Sequence, residues 1–432
     1  MLKKGHMKEF SKKHKINLST EIIAGITTFL TMAYILIINP KILSDAGMPY
    51  EAVFTVTALG AGIGCLLMGV MANRPLAVAT GMGLNAYFAY TAVLGMGFVW
   101  EEVMAAAFVS SALIFLIAFF RINIAKAIPE SFKHALIAGL GLFLVFIGMQ
   151  NAHFVVTDPA TVVGIGNLLD PRALIAVLGF FITALLVARN TRGALFIGIV
   201  ITAIVSIIIG IAPIPDGIFS LPPSPESIVF KLDFGALLKT SLLPVIWTLF
   251  IISFFDLVGT NIAMLTKAKY AKKKGEISGL RETLEANGLA GSIGALIGAP
   301  TIITFLESAT GIKAGGRTGI VSIVVGILFF ASLFFFPLIN AIPIEAAAPA
   351  IIMVGLLMLA SIKGMDFSDE SESIPALLTL GTIPFTFSIS NGIAVGSISY
   401  VFLKIVTGKA NEIHPAMYLI AMLSILEFAN IF

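Results

Sequence analysis

The chain has 432 residues, 58% hydrophobic and only 12% charged, with a mean hydropathy of +1.01. A water-facing domain carries about 25% charged residues, so a soluble globular protein is excluded. The net charge of +3 lies in short connecting segments and gives no sign of nucleic-acid binding, and the single cysteine, Cys65, excludes an intramolecular disulfide framework.

Taken in order, residues 1–19 form a basic N-terminus, with Lys3, Lys4, Lys8, Lys12, Lys13 and Lys15. No small-residue cleavage site follows the first apolar run, so that run reads as a retained span rather than a signal peptide. Runs long enough to cross a bilayer then recur at 20–38, 51–72, 101–120, 171–188, 193–212, 240–263, 317–338 and 343–361. Shorter or glycine-broken runs at 80–97, 133–150, 284–298, 300–314, 373–389 and 391–407 bring the predicted number of spans to fourteen. The C-terminal stretch 409–432 is apolar from residue 413 and reads equally as interfacial or spanning.

Basic residues concentrate in cytoplasmic loops. With the N-terminus cytoplasmic, Arg74, Arg121, Lys126, Arg189, Arg192, the cluster Lys267 to Lys274, Lys363, Lys404 and Lys409 all fall inside. The proline-rich stretch Pro213 to Pro225 falls outside. A multi-pass protein of the cell membrane, embedded in the lipid bilayer, is expected.

The segment 213–239 divides the chain into seven spans at 20–212 and seven at 240–408. An odd number of spans per half makes the halves enter from opposite sides, the inverted-repeat arrangement of many transporters. Each half carries one interrupted segment at its third span. The first runs from Pro75 through Thr80, Gly81, Gly83 and Asn85 to Phe88, and the second from Gly298 through Pro300, Phe305, Glu307 and Ser308 to Gly311. Irregular backbone at that depth is tolerated only where it is buried or lines a cavity. Each segment is therefore expected to be an extended stretch leading into a half-helix. Glycine and proline also simply kink helices, but their matched position in both halves favours a binding site.

Ionisable residues within spans are rare and usually functional. Asp256 lies deep in span 8 and Glu307 at the break of span 10. Asn85 offers an amide on the opposite broken segment, with a helix-bridging amide as the equal alternative. Glu21, Glu101 and Glu345 read as interfacial. None of the five histidines is mid-span, which argues against a histidine proton relay. No metal-ligand cluster, cofactor motif or phosphate-binding loop is apparent, nor any nucleophile–base pair of an enzyme. Phe254, Phe255 and Phe305 flank the acids, where a planar heterocycle could stack or the rings could simply pack.

Several of these stretches resemble one family. Gly25 to Pro40, Gly81 to Phe88, Phe255-Asp256 through Thr260, Glu307 to Gly311, and Gly315 to Gly319 are similar to motifs of the AzgA-like adenine/guanine/hypoxanthine permeases, within the nucleobase–ascorbate transporter-like superfamily. The resemblance covers nearly the whole chain. It implies an all-α membrane protein with fourteen spans in two inverted seven-span repeats, arranged as core and gate domains. It implies symport of purine nucleobases with a cation, usually the proton, and suggests a homodimer. It places substrate contacts at Asn85, Asp256 and Glu307, with Gly81, Gly83, Phe305 and Ser308 beside them, and proton coupling at Asp256 and Glu307. Ser253, Thr80 and Phe305 stand where relatives often carry an acid, a proline and a tyrosine. The other readings of this sequence are the same fold carrying uracil, xanthine or a small anion, and a channel; a site for an isolated anion should show mid-span arginine or lysine, and none is seen.

Overall fold

The computed structural model describes residues 17–121, 129–159, 161–270 and 277–428. The lysines before residue 16, Lys126, residues 271–276 of the basic loop and the last four residues lie outside that range.

Among the described residues, nine helices are long and apolar enough to cross a membrane. They are spans 1, 2, 4, 5, 6, 8, 11, 12 and 14, running from Leu18–Asp45 to Ile389–Val406. Spans 7, 9 and 13 are the shorter helices Ala194–Ile208, Leu280–Leu296 and Glu370–Thr386. Spans 3 and 10 are the interrupted pair. The C-terminal helix Pro415–Phe428 packs along span 14.

The packing separates into two bodies. Spans 1–4 pack with spans 8–11, and spans 5–7 with spans 12–14. The pattern maps onto itself when each span number is raised by seven. Span 9 lies on span 4 as span 2 lies on span 11. Span 8 lies on span 4 as span 1 lies on span 11, and spans 6 and 7 pair as 13 and 14 do. This is the two-fold relation of an inverted repeat, with the first body as core and the second as gate.

Small residues let the helix axes approach, as bilayer packing requires. A Cβ on Gly319 would stand 2.2 Å from the carbonyl oxygen of Gly69, where spans 11 and 2 cross. In the gate, a Cβ on Gly355 would stand 2.4 Å from that of Gly141, where spans 12 and 5 cross.

Two acids read as interfacial are buried. Glu21 is 2% exposed, and its carboxylate accepts hydrogen bonds from the backbone N–H groups of Arg317 (2.9 Å) and Thr318 (3.0 Å). It thereby satisfies the free amides that open span 11. Glu345, 6% exposed at the start of span 12, has His153 at 3.6 Å and Arg172 at 3.8 Å. Lys404, counted above as a loop charge, is buried at the end of span 14 between Glu372 (2.9 Å) and Glu412 (2.7 Å). Beside it, the Lys409 ammonium at 2.7 Å from Asp369, helped by Ser371, holds the Asp369 carboxyl well below the usual carboxylate range.

Candidate functional site

The two interrupted segments meet. Strand β1 (Val78–Thr80) follows Pro75, and its β-branched Val78 and Thr80 favour extended backbone. A second, separate hairpin, β2 (Val155–Asp158) with β3 (Val162–Ile165), connects spans 5 and 6. Strand β4 (Ile302–Thr304) follows Pro300. β1 and β4 pair antiparallel, with Ala79 opposite Ile303 at the centre. The ladder is closed at both ends by equivalent bonds of 2.9 Å, from the N–H of Gly81 to the carbonyl of Thr301 and from the N–H of Phe305 to that of Ala77. Each strand thus satisfies the other's backbone, which an isolated strand in a bilayer could not do.

Half-helices lead away from both strands. Met82–Ala86 continues as a wider π-helical stretch, Tyr87–Gly95, and Ser308–Lys313 follows β4. The extended-stretch-then-half-helix expectation describes both. Gly81 is closely packed, and a Cβ there would meet the end of the Ile303 side chain at 2.7 Å and force it to shift. Gly83 is partly open, with Leu140 of gate span 5 as the nearest neighbour of a Cβ, at 3.3 Å. Ser308 is fully buried, and its hydroxyl accepts from the N–H of Ala77 at 2.9 Å, joining the second half-helix to the first strand.

Asn85 is also fully buried. Its amide nitrogen donates to Asn39, whose own amide donates to Thr57 at 2.8 Å. Its oxygen accepts from the Thr301 hydroxyl at 2.7 Å. Thr301 is β-branched and has φ +51°, a strained conformation for such a residue. The Asn85 bond therefore lies where the backbone turns into β4. In the second half, the Thr304 hydroxyl donates to Asn261 of span 8 at 2.8 Å and accepts from Asn287 of span 9 at 3.0 Å. Each broken segment is thus tied by buried amides to the first two spans of its repeat. A lone asparagine or threonine in an apolar run does not announce this network.

The two acids sit at the edges of this frame and are half-buried. Glu307 occupies the turn between β4 and its half-helix, preceded by exposed Leu306. Its Oε1 accepts from the hydroxyl of Tyr34 at 2.6 Å. Asp256 lies on span 8, one turn before Thr260, whose hydroxyl donates to Asp256 Oδ1 at 3.0 Å. Three residues on, Gly259 is exposed, and a Cβ there would meet nothing within 4 Å. Phe254, Phe255 and Phe305 are buried, with 3%, 6% and 6% of their surfaces exposed. Span 8 packs against β4 and against both half-helices, so one frame carries Asn85, Asp256, Phe305, Glu307 and Ser308. Tyr34 was not singled out by sequence reasoning; its only signal was membership of the first span's motif.

Half-buried carboxylates, each held by a single hydroxyl donor, suit a polar solute with N–H groups. Among the described residues, no group of three or more His, Cys, Asp or Glu is placed to hold a metal.

Comparison with known proteins gives four findings. A family model described as a permease family (Xan_ur_permease) matches residues 19–395. The adenine permease AdeP of Escherichia coli is 39% identical over 422 residues, covering 97% of this chain and 95% of that protein. The guanine/hypoxanthine permease PbuO of Bacillus subtilis is 37% identical over 425 residues, covering 96% and 98%. Among solved structures, the transmembrane domain of the cyanobacterial bicarbonate transporter BicA superposes with a TM-score of 0.64 over 90% of this chain and 98% of that one. At 14% sequence identity, this likeness shows the fold alone.

Proposed function

The chain belongs to the Xan_ur_permease family of permeases, and from that premise we propose that it is a secondary transporter importing purine nucleobases across the cell membrane by cation symport, with the proton as the coupling ion. The observation that carries this reading is the half-buried carboxylate of Glu307, in the turn that follows the strand pair where both repeats meet. In this reading a neutral purine enters between core and gate, and Glu307 accepts N–H bonds from its edge. Asp256 binds or organises the coupling proton. The core then moves against the gate and opens the site to the other side. The high identity to permeases of adenine and of guanine and hypoxanthine supports the substrate class.

Uptake of radiolabelled adenine, guanine, hypoxanthine, uracil and xanthine into proteoliposomes, with and without an imposed proton gradient, tests the assignment. Saturable purine uptake that rises with an inward proton gradient is expected. Uptake of none of the purines would end this reading.

The orientation in this reading puts the N-terminus and the loop after span 8 in the cytoplasm, following the bias of basic residues. A cysteine introduced at Gly275 in a Cys65→Ala background should resist impermeant thiol reagents on intact cells and label after permeabilisation. Strong labelling of intact cells would reverse the orientation.

A further inference from the structure

Glu307 does not face the interior with both of its oxygens. Oε1 is already engaged by the Tyr34 hydroxyl at 2.6 Å. Tyr34 is 1% exposed and lies where span 1 breaks between the helices Leu18–Met32 and Ile35–Asp45. The two segments are locked side by side at three successive levels. A Cβ at Gly311 would stand 2.1 Å from the Thr28 hydroxyl, so the half-helix lies directly on span 1. The next level is the Thr31–Thr310 hydroxyl contact at 3.1 Å, and Thr310 in turn donates to the Glu307 carbonyl at 2.7 Å. Tyr34–Glu307 is the third level. Buried, and fixed by this ladder, the tyrosine ring has no room to withdraw its hydroxyl from the carboxylate.

We propose that Tyr34 is a positioning and selectivity residue of the purine site: its hydroxyl holds Glu307 Oε1, so the carboxylate meets the substrate chiefly through Oε2. This rests on the purine-transport reading above. Purines differ in what they offer a carboxylate. Hypoxanthine presents one ring N–H, at N1, on its pyrimidine edge. Guanine presents the same N1–H with an exocyclic amine beside it, a pair of parallel donors that matches two free carboxylate oxygens. With the Tyr34 hydroxyl on Oε1, that oxygen keeps one lone pair and answers guanine's second donor more weakly than a free oxygen would, while Oε2 answers the single donor in full. Tyr34 therefore narrows the advantage guanine would otherwise hold.

The test is Tyr34→Phe in purified full-length protein, with hypoxanthine and guanine affinities measured by calorimetry and Thr31→Val as a control on the same ladder. Tyr34→Phe is expected to weaken hypoxanthine binding roughly two- to tenfold, because the released carboxylate must then be ordered by the substrate itself. Guanine should lose less, because the freed Oε1 can take its second donor, so the guanine-to-hypoxanthine affinity ratio should rise roughly threefold or more. Thr31→Val, which leaves the hydroxyl of Tyr34 in place, should leave the ratio unchanged. Equal losses for both purines, no loss for either, or a ratio that moves as far in Thr31→Val would overturn the role of Tyr34. Unmodified protein that binds adenine but neither of these two would overturn this inference alone, and one that binds none of the three purines would overturn the transport reading with it.

Discussion

Glu307→Gln is expected to weaken purine binding by about 10–100-fold, corresponding to about 1–3 kcal/mol, while the protein stays folded. The size follows from what the amide would be forced to do. The Tyr34 hydroxyl donates to Oε1, and the glutamine keeps that bond by turning its carbonyl oxygen toward Tyr34. Its NH2 would then occupy the place of Oε2. A substrate N–H would meet another N–H instead of an acceptor, in a setting with little water to substitute. The scaffold bonds around the residue do not involve its carboxylate: Ser308 to Ala77, Thr310 to the Glu307 carbonyl and the β1–β4 ladder would all survive. Calorimetry on the purified variant, with elution volume and thermal midpoint as controls on folding, decides the matter. Unchanged affinity would remove Glu307 from the site.

Asp256→Asn should separate binding from coupling. The asparagine keeps an oxygen to accept the Thr260 hydroxyl, so span 8 loses no bond there. It cannot take up or release a proton in the accessible range. Ser253, one turn earlier, is buried and provides no second acid on this helix. Exchange of labelled for unlabelled purine across proteoliposomes moves no net proton and should persist. Accumulation against a purine gradient, driven by an imposed pH difference, should fall to background. A variant that still concentrates purine under that gradient would place the coupling proton elsewhere, with Glu307 next in line.

Much of the architecture can be read from the chain because lipid imposes simple rules. Apolar length marks most spans, and the odd number per half fixes their inversion. The acids at 256 and 307 stand out because charge is costly at that depth. What could not be read is pairing at a distance. Val-Ala-Thr and Ile-Ile-Thr are unremarkable tripeptides, and nothing local says that they hydrogen-bond to each other. Tyr34 looked like one more aromatic residue in an apolar run until the fold put Glu307 against it. Asn85 was weighed equally as a ligand and as a bridge between helices. The structure engages both ends of its amide, with Asn39 and Thr301, so it braces the entry to the second strand. Glu21 and Lys404 were misplaced for the same reason: their partners, Thr318 and Glu372, lie on other spans.

The strand pair also imposes an order on the making of the protein. Ala77 and Ser308, at one end of the pair, are 231 residues apart in the chain. At ribosomal speeds of about 5–20 residues per second, the first strand leaves the ribosome roughly 10–50 s before its partner exists. Through that interval the amides and carbonyls of residues 78–80 have no strand to bond, and hydrocarbon offers no substitute. The third span therefore cannot settle at its final depth while the first repeat is alone. It must wait near water or within the insertion machinery until the second repeat arrives. The contact that joins the two halves of the transporter is thus one of the last to form, and the first repeat by itself is an unfinished membrane protein rather than an independent half.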